Sequence, residues 1–344
     1  MVGLTIDKIK KGEGLVPYSA RTNHFLFQGK TRHTGADYST AHLGVVANRV
    51  GDIVRQDSRY YDIALAASWW HDGPEDIPGL DVYNPYEFFA RKDNGKVYLN
   101  DLLGAAGKYG DWTSYIVDLV THREEDEKYF DYVKHTFDFP RARWNWLEAI
   151  AKPFSYIPGF AGLDYQNLRN LHAVAGIIKT VDMRYNTDPD EKVNFEKALN
   201  AYANLKDADE DKLVEFYKKN KVIDAFEQKN DYSYNPKLFE EQFRQRAKHR
   251  LQARSIDNLG YYLPLAEDKL LVEWDGPEFF DKAAMRALLK EAYIDSIRVF
   301  PLDIHAVKLF GFNHRKAKVP GYKSLRREIR EEIASNQLKI EKVK

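Results

Sequence analysis

A hydrophobic run from Ile63 to Trp70 leads directly into the sequence His71-Asp72-Gly73-Pro74-Glu75-Asp76. Because proline lacks a backbone N–H and glycine is a poor helix former, the Gly-Pro pair predicts that a buried helix ends there. His71 and Asp72 offer a neutral nitrogen and an anionic oxygen, a ligand set that divalent transition metals accept. A helix end with exposed acidic residues would give the same pattern, so this stretch alone leaves both interpretations open.

Composition limits the chemistry further. The 344 residues include no cysteine, which excludes disulfides and thiolate metal sites, so any metal must be held by His, Asp, Glu or water. The 52 basic and 52 acidic residues cancel, which argues against a nucleic-acid binder. We find no signal peptide and no apolar run near the ~20 residues that a membrane helix needs. We therefore expect a cytoplasmic protein with no nucleic-acid or membrane partner.

The hydrophobic periodicity predicts an all-α fold. Apolar residues recur every three or four positions from His42 to Arg55 and from His172 to Asn186. Asp182 lies at the edge of the apolar stripe of the second of these helices, and Asn186 follows four residues later, so the two side chains should point the same way. The only strand-like pieces that we recognise are short ones near Ile297 to Phe310.

We divide the chain at about residue 190. Residues 1–190 are predicted to form a helical bundle with insertions at about 78–111 and 139–165. Residues 191–344 are predicted to form a helical extension of unknown role, with amphipathic patterns such as Glu191 to Lys206 and Pro236 to Arg254. This extension is a candidate surface for self-association or for a protein partner.

Four residues on three predicted helices can form one metal site: His42, His71, Asp72 and Asp182. Two imidazoles and two carboxylates leave positions open for water and substrate on a six-coordinate ion. Such oxygen-rich ligation favours Mn²⁺, Fe²⁺ or Mg²⁺ over a closed tetrahedral zinc site, and we expect Mn²⁺.

The order His, His-Asp, Asp resembles that of the HD-domain metal-dependent phosphohydrolases. RHTGADYSTAH (32–42), HDGPEDI (71–77), VDLVTH (117–122) and IIKTVDMRYNT (177–187) are similar to motifs of the hydrolase domain of the RelA/SpoT family. The resemblance covers about residues 20–190 and implies an HD-domain helical bundle. It also implies a stand-alone enzyme that hydrolyses the 3′-pyrophosphate of the alarmone (p)ppGpp in the stringent response.

The resemblance also implies roles for single residues. His42, His71, Asp72 and Asp182 match the metal ligands of the family, and Glu75 and Asp76 match its catalytic carboxylates, with Glu75 moving the proton. Arg32 matches the arginine that packs on the base, His33 and Thr34 lie beside it, and Asn186 matches the asparagine that contacts the sugar. Lys179 is a candidate cation for the phosphates.

The sequence departs from the family pattern in four ways. His33 replaces the usual lysine, one residue is added between Tyr38 and His42, Gly73-Pro74 replaces an apolar pair, and the distance from Asp72 to Asp182 is longer than usual. Two alternatives therefore stay open. One is an HD phosphohydrolase that acts on another nucleotide, such as a dNTP, an NMP or a signalling nucleotide. The other is a sensor or antagonist that binds a nucleotide without hydrolysing it.

Overall fold

The computed structural model describes residues 4–30, 37–87, 91–92, 94–123, 129–137, 141–151, 164–186, 261–299, 323–335 and 337. Among the interpretable residues, 69% are helical and 4% are in strands. The predicted all-α class is therefore confirmed.

The helices of the N-terminal half include those predicted around His42–Arg55 and Ile63–Trp70, whereas the helix predicted from His172 begins seven residues earlier. They are α1 (Leu15–Leu26), a π-helical turn (Ser39–Leu43) that continues into α2 (Gly44–Ile53), α3 (Tyr61–Trp70), the single-turn α4 (Gly73–Asp76), α5 (Leu99–Leu103), a 3-10 turn (Gly104–Ala106), α6 (Lys108–Val120), α7 (Tyr129–Phe137), α8 (Arg141–Ala151) and α9 (Tyr165–Asn186). The described helices of the C-terminal part are α10 (Leu263–Ala266), which continues into a π-helical segment (Glu267–Val272), α11 (Lys282–Val299) and α12 (Leu325–Ala334).

Helix α3 lies at the centre of the bundle, where it packs against α1, α2 and α6, and α9 packs against α2 and α6. The small buried residues of α3, such as Ala64 and Ala67, let neighbouring helices approach closely. Trp70 at its end is fully buried and donates a 3.0 Å hydrogen bond from Nε1 to Ser19 Oγ on α1. Truncation of a buried tryptophan typically costs about 3–5 kcal/mol, so this contact fixes the end of α3 next to the candidate site.

A two-stranded parallel sheet, which the sequence did not predict, lies within the 78–111 insertion. Strand β1 (Leu80–Asp81) pairs with β2 (Val97–Tyr98), with Leu80 opposite Val97. Each strand has only two residues, too few to show the alternation that identifies a strand. The sheet holds both ends of the intervening loop beside the bundle.

The described part of the C-terminal extension packs into the same hydrophobic core as the first half. Helix α11 contacts α9 and α2. The backbone N–H of Arg55 donates to the Phe279 carbonyl at 2.9 Å, and that of Asp281 donates to the Ile53 carbonyl at 2.7 Å. The predicted boundary near residue 190 and the amphipathic patterns at 191–206 and 236–254 lie outside the described residues, so they stay predictions.

The strand-like interpretation near Ile297 is wrong where the structure describes it, because residues 297–299 belong to α11. Helix α11 continues through Ile297 and Val299, which are β-branched. The strand preference of such residues depends strongly on context. Residues 300–310 lie outside the described part. None of the described helices is both long and apolar enough to cross a membrane.

Candidate metal centre and active site

Four side chains from three places in the bundle converge on one point. His42 Nε2 lies 3.1 Å from Asp72 Oδ2 and 3.4 Å from Asp182 Oδ1. His71 Nε2 lies 3.2 Å from Asp72 Oδ2 and 3.6 Å from Asp182 Oδ1, and the two Nε2 atoms are 3.3 Å apart. His42, His71 and Asp72 also form the group of ligand-type side chains in the described residues that could hold an ion. The structure therefore brings together all four predicted ligands.

The π-helical turn explains how His42 reaches this point. A π-helical turn accommodates one more residue than the α-helix allows, and such turns are frequent at functional sites. The turn Ser39–Leu43 lies directly before α2 and carries His42. Gly44 then permits the close approach of α2 to α3, because a Cβ atom there would lie 3.1 Å from Trp69 Cη2.

The Gly-Pro break explains the placement of His71 and Asp72. Helix α3 ends at Trp70, and the chain turns through His71 and Asp72 before it starts α4 with a proline in the first turn. Proline is favoured at that position because its missing N–H would be unpaired anyway. His71 Nδ1 lies 2.6 Å from the Ser68 carbonyl, to which it can only donate, so Nδ1 carries a proton and, in the neutral ring, the lone pair of Nε2 faces the other ligands.

Helix α9 supplies Asp182 together with two side chains that hold it. Asn186 Nδ2 donates a 2.7 Å hydrogen bond to Asp182 Oδ1, which confirms that the two side chains point the same way. Lys179 Nζ lies 3.3 Å from Asp182 Oδ2 and is itself nearly buried. The predicted contacts of Lys179 with phosphate and of Asn186 with a sugar stay predictions.

The distances fit a divalent metal. Nitrogen and oxygen ligands about 2.1 Å from an ion lie about 3.0 Å apart at neighbouring vertices of an octahedron and about 3.4 Å apart in a tetrahedron. A proton shared among these atoms satisfies one pair at a time, whereas a cation would be bound by several lone pairs at once. His42 Nδ1 is buried and has no hydrogen-bond partner among the described residues, so no contact at that nitrogen fixes the tautomer of the ring.

The electrostatics of the cluster favour a cation. Burial opposes a charge on His71, but the adjacent carboxylates outweigh it and raise the pKa of the imidazole well above its usual value. Burial likewise opposes ionisation of the two acids. Nevertheless His71 holds the pKa of Asp72 well below its usual range, and Lys179 does the same for the pKa of Asp182. Two ionised carboxylates in an interior pocket demand positive charge between them.

Glu75 lies on the α4 turn that follows the cluster. Its Oε1 accepts a 2.6 Å hydrogen bond from the backbone N–H of His122. Part of the side chain remains exposed, yet protein atoms crowd the carboxyl group, and this burial raises the pKa of Glu75 to about 7 against the opposing effect of Lys179. A carboxyl group with a pKa near neutrality is suited to accept and return a proton.

Asp76, the second predicted catalytic carboxylate, forms an ion pair with Lys30. Lys30 Nζ also lies 4.5 Å from the ring centre of Tyr38 and 4.8 Å from that of Phe27. Asp76 is therefore held on the side of the site where α1 ends, and a cation accompanies it there.

Three groups of the site were missed by sequence reasoning. They are the hydroxyl of Tyr38, which donates a 2.6 Å hydrogen bond to Asp72 Oδ2, the ammonium of Lys30 and the backbone N–H of His122. Tyr38 lies inside the motif at 32–42, so its position gave a signal. The other two are brought in by loop geometry, which no spacing reveals. Arg32, His33 and Thr34 lie outside the described residues, and their predicted substrate contacts stay predictions.

Glu75 also borders a cavity of about 610 Å³ between the 78–111 insertion and the C-terminal end of α6. The small sheet and the start of the α6–α7 connection form its walls. The candidate proton-transfer group thus lies between this cavity and the metal-ligand cluster.

No family model matches this sequence, and no match was found among the curated proteins or among the solved structures. The function of the chain is therefore inferred from its own side chains.

Proposed function

We propose that this protein is a metal-dependent phosphohydrolase that removes the 3′-pyrophosphate of (p)ppGpp or a related alarmone. The observation that carries the proposal is that His42 Nε2 and His71 Nε2 each lie within 3.1–3.6 Å of carboxylate oxygens of Asp72 and Asp182, with Glu75 close enough to interact electrostatically with both acids. The motif resemblance to the RelA/SpoT hydrolase domain supports the choice of substrate. An enzyme that acts on this class of nucleotide would work in the cytoplasm.

The four clustered side chains would hold a divalent ion, Mn²⁺ by preference, with Fe²⁺ or Mg²⁺ as alternatives. Such an ion, when bound, supplies Lewis-acid chemistry that polarises a phosphoryl oxygen and makes water more acidic. Tyr38 and Asn186 fix the two carboxylates, and Ser68 fixes the tautomer of His71.

Glu75 would take the proton from the attacking water as the oxygen–phosphorus bond forms, and would return it to the leaving oxygen. Its raised pKa allows both steps near neutral pH. Asp76, held by Lys30, would orient Glu75 or the water. Lys179 lies close enough to Asp182 and Glu75 to place positive charge beside the phosphates.

The test is a hydrolysis panel with Mn²⁺ that contains ppGpp, pppGpp, ppApp, dNTPs, NMPs and cyclic dinucleotides, read by chromatography. Asp72→Ala is the inactive reference, and Asp62→Ala, which removes an exposed aspartate of α3, is the matched control. We expect pyrophosphate release from ppGpp, loss of activity with EDTA, and recovery with Mn²⁺.

The other outcomes separate the alternatives. Turnover of a different nucleotide would keep the metal-dependent reaction and replace the substrate. Tight binding of one nucleotide without turnover would make the protein a sensor or antagonist. Full activity of Asp72→Ala or of His71→Ala would refute the site itself.

A further inference from the structure

The cavity beside Glu75 has no role in the reaction proposed above. Its volume of about 610 Å³ falls within the roughly 300–1,000 Å³ that is usual for small-molecule sites. Glu75 and Pro74 line it, whereas the four candidate metal ligands are not among its described lining residues. The cavity therefore adjoins the cluster on the side of Glu75 and could hold a part of the substrate that does not react.

The charges of the cavity lining indicate which part of the substrate the cavity could hold. Apart from Glu75, the described lining contains three acidic residues, Asp81, Glu87 and Asp118, and three basic residues, Lys92, Lys96 and Arg123. The charges of these six residues cancel. Most are also paired across the wall. Lys96 Nζ lies 2.9 Å from Asp81 Oδ2, and an Arg123 guanidinium nitrogen lies 2.8 Å from Asp118 Oδ1. A lining whose net charge is zero, or −1 when Glu75 is ionised, suits an uncharged group better than a phosphate chain.

Tyr83 provides an aromatic wall that is fixed in place. Both polar groups of its backbone are bound by one side chain, since Asn100 Oδ1 accepts from the Tyr83 N–H at 3.1 Å and Asn100 Nδ2 donates to the Tyr83 carbonyl at 2.9 Å. The Tyr83 ring packs edge-to-face with Tyr98, with ring centres 5.4 Å apart, and is only partly buried. A rigid, accessible aromatic ring is a platform on which a base can stack.

Polar groups also line the cavity, and hydrogen bonds hold them in place. Thr121 and His122 follow the end of α6, and the His122 N–H is the group that binds Glu75. Arg123 fastens this segment to the insertion by donating a 2.6 Å hydrogen bond to the Val82 carbonyl. The lining thus offers an aromatic ring that suits the face of a nucleobase and polar groups that suit its edges.

We propose that this cavity binds the nucleoside part of the substrate, with the base stacked on Tyr83 and the reacting phosphates directed past Glu75 toward the metal-ligand cluster. This inference rests on the proposed phosphohydrolase function and deepens it. It assigns the nucleoside to the insertion at 78–111, whereas the motif resemblance would place the base against Arg32.

The test measures binding rather than turnover. NMR titrations of the metal-free full-length protein with guanosine and with adenosine give the affinity for the nucleoside, and titrations with pyrophosphate in the presence of Mn²⁺ give the affinity for the phosphate end. Four variants are compared: Tyr83→Ala, Tyr83→Phe, Arg32→Ala and Tyr109→Ala. The last removes a tyrosine that lies outside this cavity and serves as the matched control.

We expect Tyr83→Ala to weaken nucleoside binding about tenfold or more, the usual effect of losing one stacking partner, and to do so far more than it weakens pyrophosphate binding. Tyr83→Phe should keep most of the affinity because it keeps the ring. Equal nucleoside affinity in Tyr83→Ala and Tyr109→Ala would overturn the inference, and so would a loss found only in Arg32→Ala. The absence of any nucleoside binding to the parent protein would overturn it as well.

The two proposals fail in different ways. If the hydrolysis panel shows no metal-dependent turnover but Tyr83→Ala still weakens nucleoside binding, the phosphohydrolase proposal fails and the nucleoside site stands. If the protein hydrolyses a nucleotide and Tyr83→Ala changes neither its KM nor nucleoside affinity, the reaction stands and the assignment of the cavity fails.

Discussion

The hydroxyl of Tyr38 donates a 2.6 Å hydrogen bond to Asp72 Oδ2, the same oxygen that lies 3.1 Å from His42 Nε2. Tyr38 therefore fixes the orientation of a candidate metal ligand without being a ligand itself. It reaches Asp72 from the residue directly before the π-helical turn that carries His42.

Replacement of this tyrosine should weaken metal binding. Tyr38→Phe keeps the ring and removes the hydrogen bond, and loss of a partner that orients a ligand typically lowers metal affinity about 10- to 100-fold. Isothermal titration of the purified protein with Mn²⁺ measures the change, with Tyr109→Phe as the control for loss of a hydroxyl elsewhere. An unchanged Kd would show that Asp72 does not depend on this bond.

Lys30 offers a second test, because its ammonium accompanies Asp76 at the site. Lys30→Met keeps much of the side-chain volume but removes the charge. We expect the KM for an anionic nucleotide to rise about fivefold, since one partly exposed charge contributes up to about 1 kcal/mol. Lys8→Met, which removes an exposed lysine, should leave the KM unchanged.

A salt series sharpens this prediction. If Lys30 acts by charge, the difference in KM between the parent protein and Lys30→Met should shrink as ionic strength rises, because screening weakens the contribution of the lysine. A difference that persists at high salt would indicate that the substitution acts through packing against Phe27 and Tyr38.

The sequence predicted what periodicity and residue order can determine. The helices that carry or adjoin His42, His71, Asp72 and Asp182 were predicted because their apolar stripes are regular and because Gly73-Pro74 marks the end of α3. The structure places the four side chains together, although metal binding itself stays a prediction. The all-α class, which the structure confirms, was predictable for the same reason, because a long apolar stripe at helical spacing has few alternative explanations.

The remainder depends on contacts that no local pattern encodes. The ion pair between Lys30 and Asp76 joins residues 46 positions apart in sequence, and the bond from the His122 N–H to Glu75 uses a backbone group that every residue except proline has. The strands at Leu80–Asp81 and Val97–Tyr98 are too short to alternate. The cavity beside Glu75 arises from these same contacts, so no sequence pattern indicates it.

Glu75 links the geometry of the site to pH. If its carboxylate accepts the proton of the attacking water, kcat should rise as pH increases through about 7 and then level off, because burial raises the pKa of Glu75 to about 7. Glu75→Gln should lower kcat about 100-fold or more and abolish this rise. Initial rates from pH 5.5 to 9 test the prediction, and an unchanged profile in Glu75→Gln would assign the proton transfer to another group.

Glu75→Gln should also change how the stability of the protein depends on pH. Whereas kcat should rise with pH, the stabilising contribution of Glu75 should fall. A carboxyl group whose pKa is raised in the folded state keeps its proton to a higher pH there than in the unfolded chain. Its contribution to stability is therefore lost as pH rises from the unfolded value of 4.5 through about 7. Urea unfolding at pH 5 and at pH 8 should show that Glu75→Gln loses less stability over this interval than the parent protein.

His172 should make the fold sensitive to acid. It is buried in α9, where its Nε2 lies 2.8 Å from the Tyr115 hydroxyl and its Nδ1 lies 3.1 Å from the Thr136 carbonyl. Burial lowers the pKa of His172 to about 3 from a usual value of 6.5. Between these values the unfolded chain binds a proton that the folded chain does not, so stability is fully present above pH 6.5 and falls as pH decreases below it.

At pH 5 this difference amounts to about 2 kcal/mol of unfolding free energy relative to pH 8. His172→Gln cannot titrate, so it should lower stability at pH 8 through lost packing but should lose about 2 kcal/mol less than the parent protein between pH 8 and pH 5. Urea titrations at the two pH values measure this difference, with the exposed His24→Gln as the control. Equal losses in the parent protein and His172→Gln would mean that His172 does not control the acid response of the bundle.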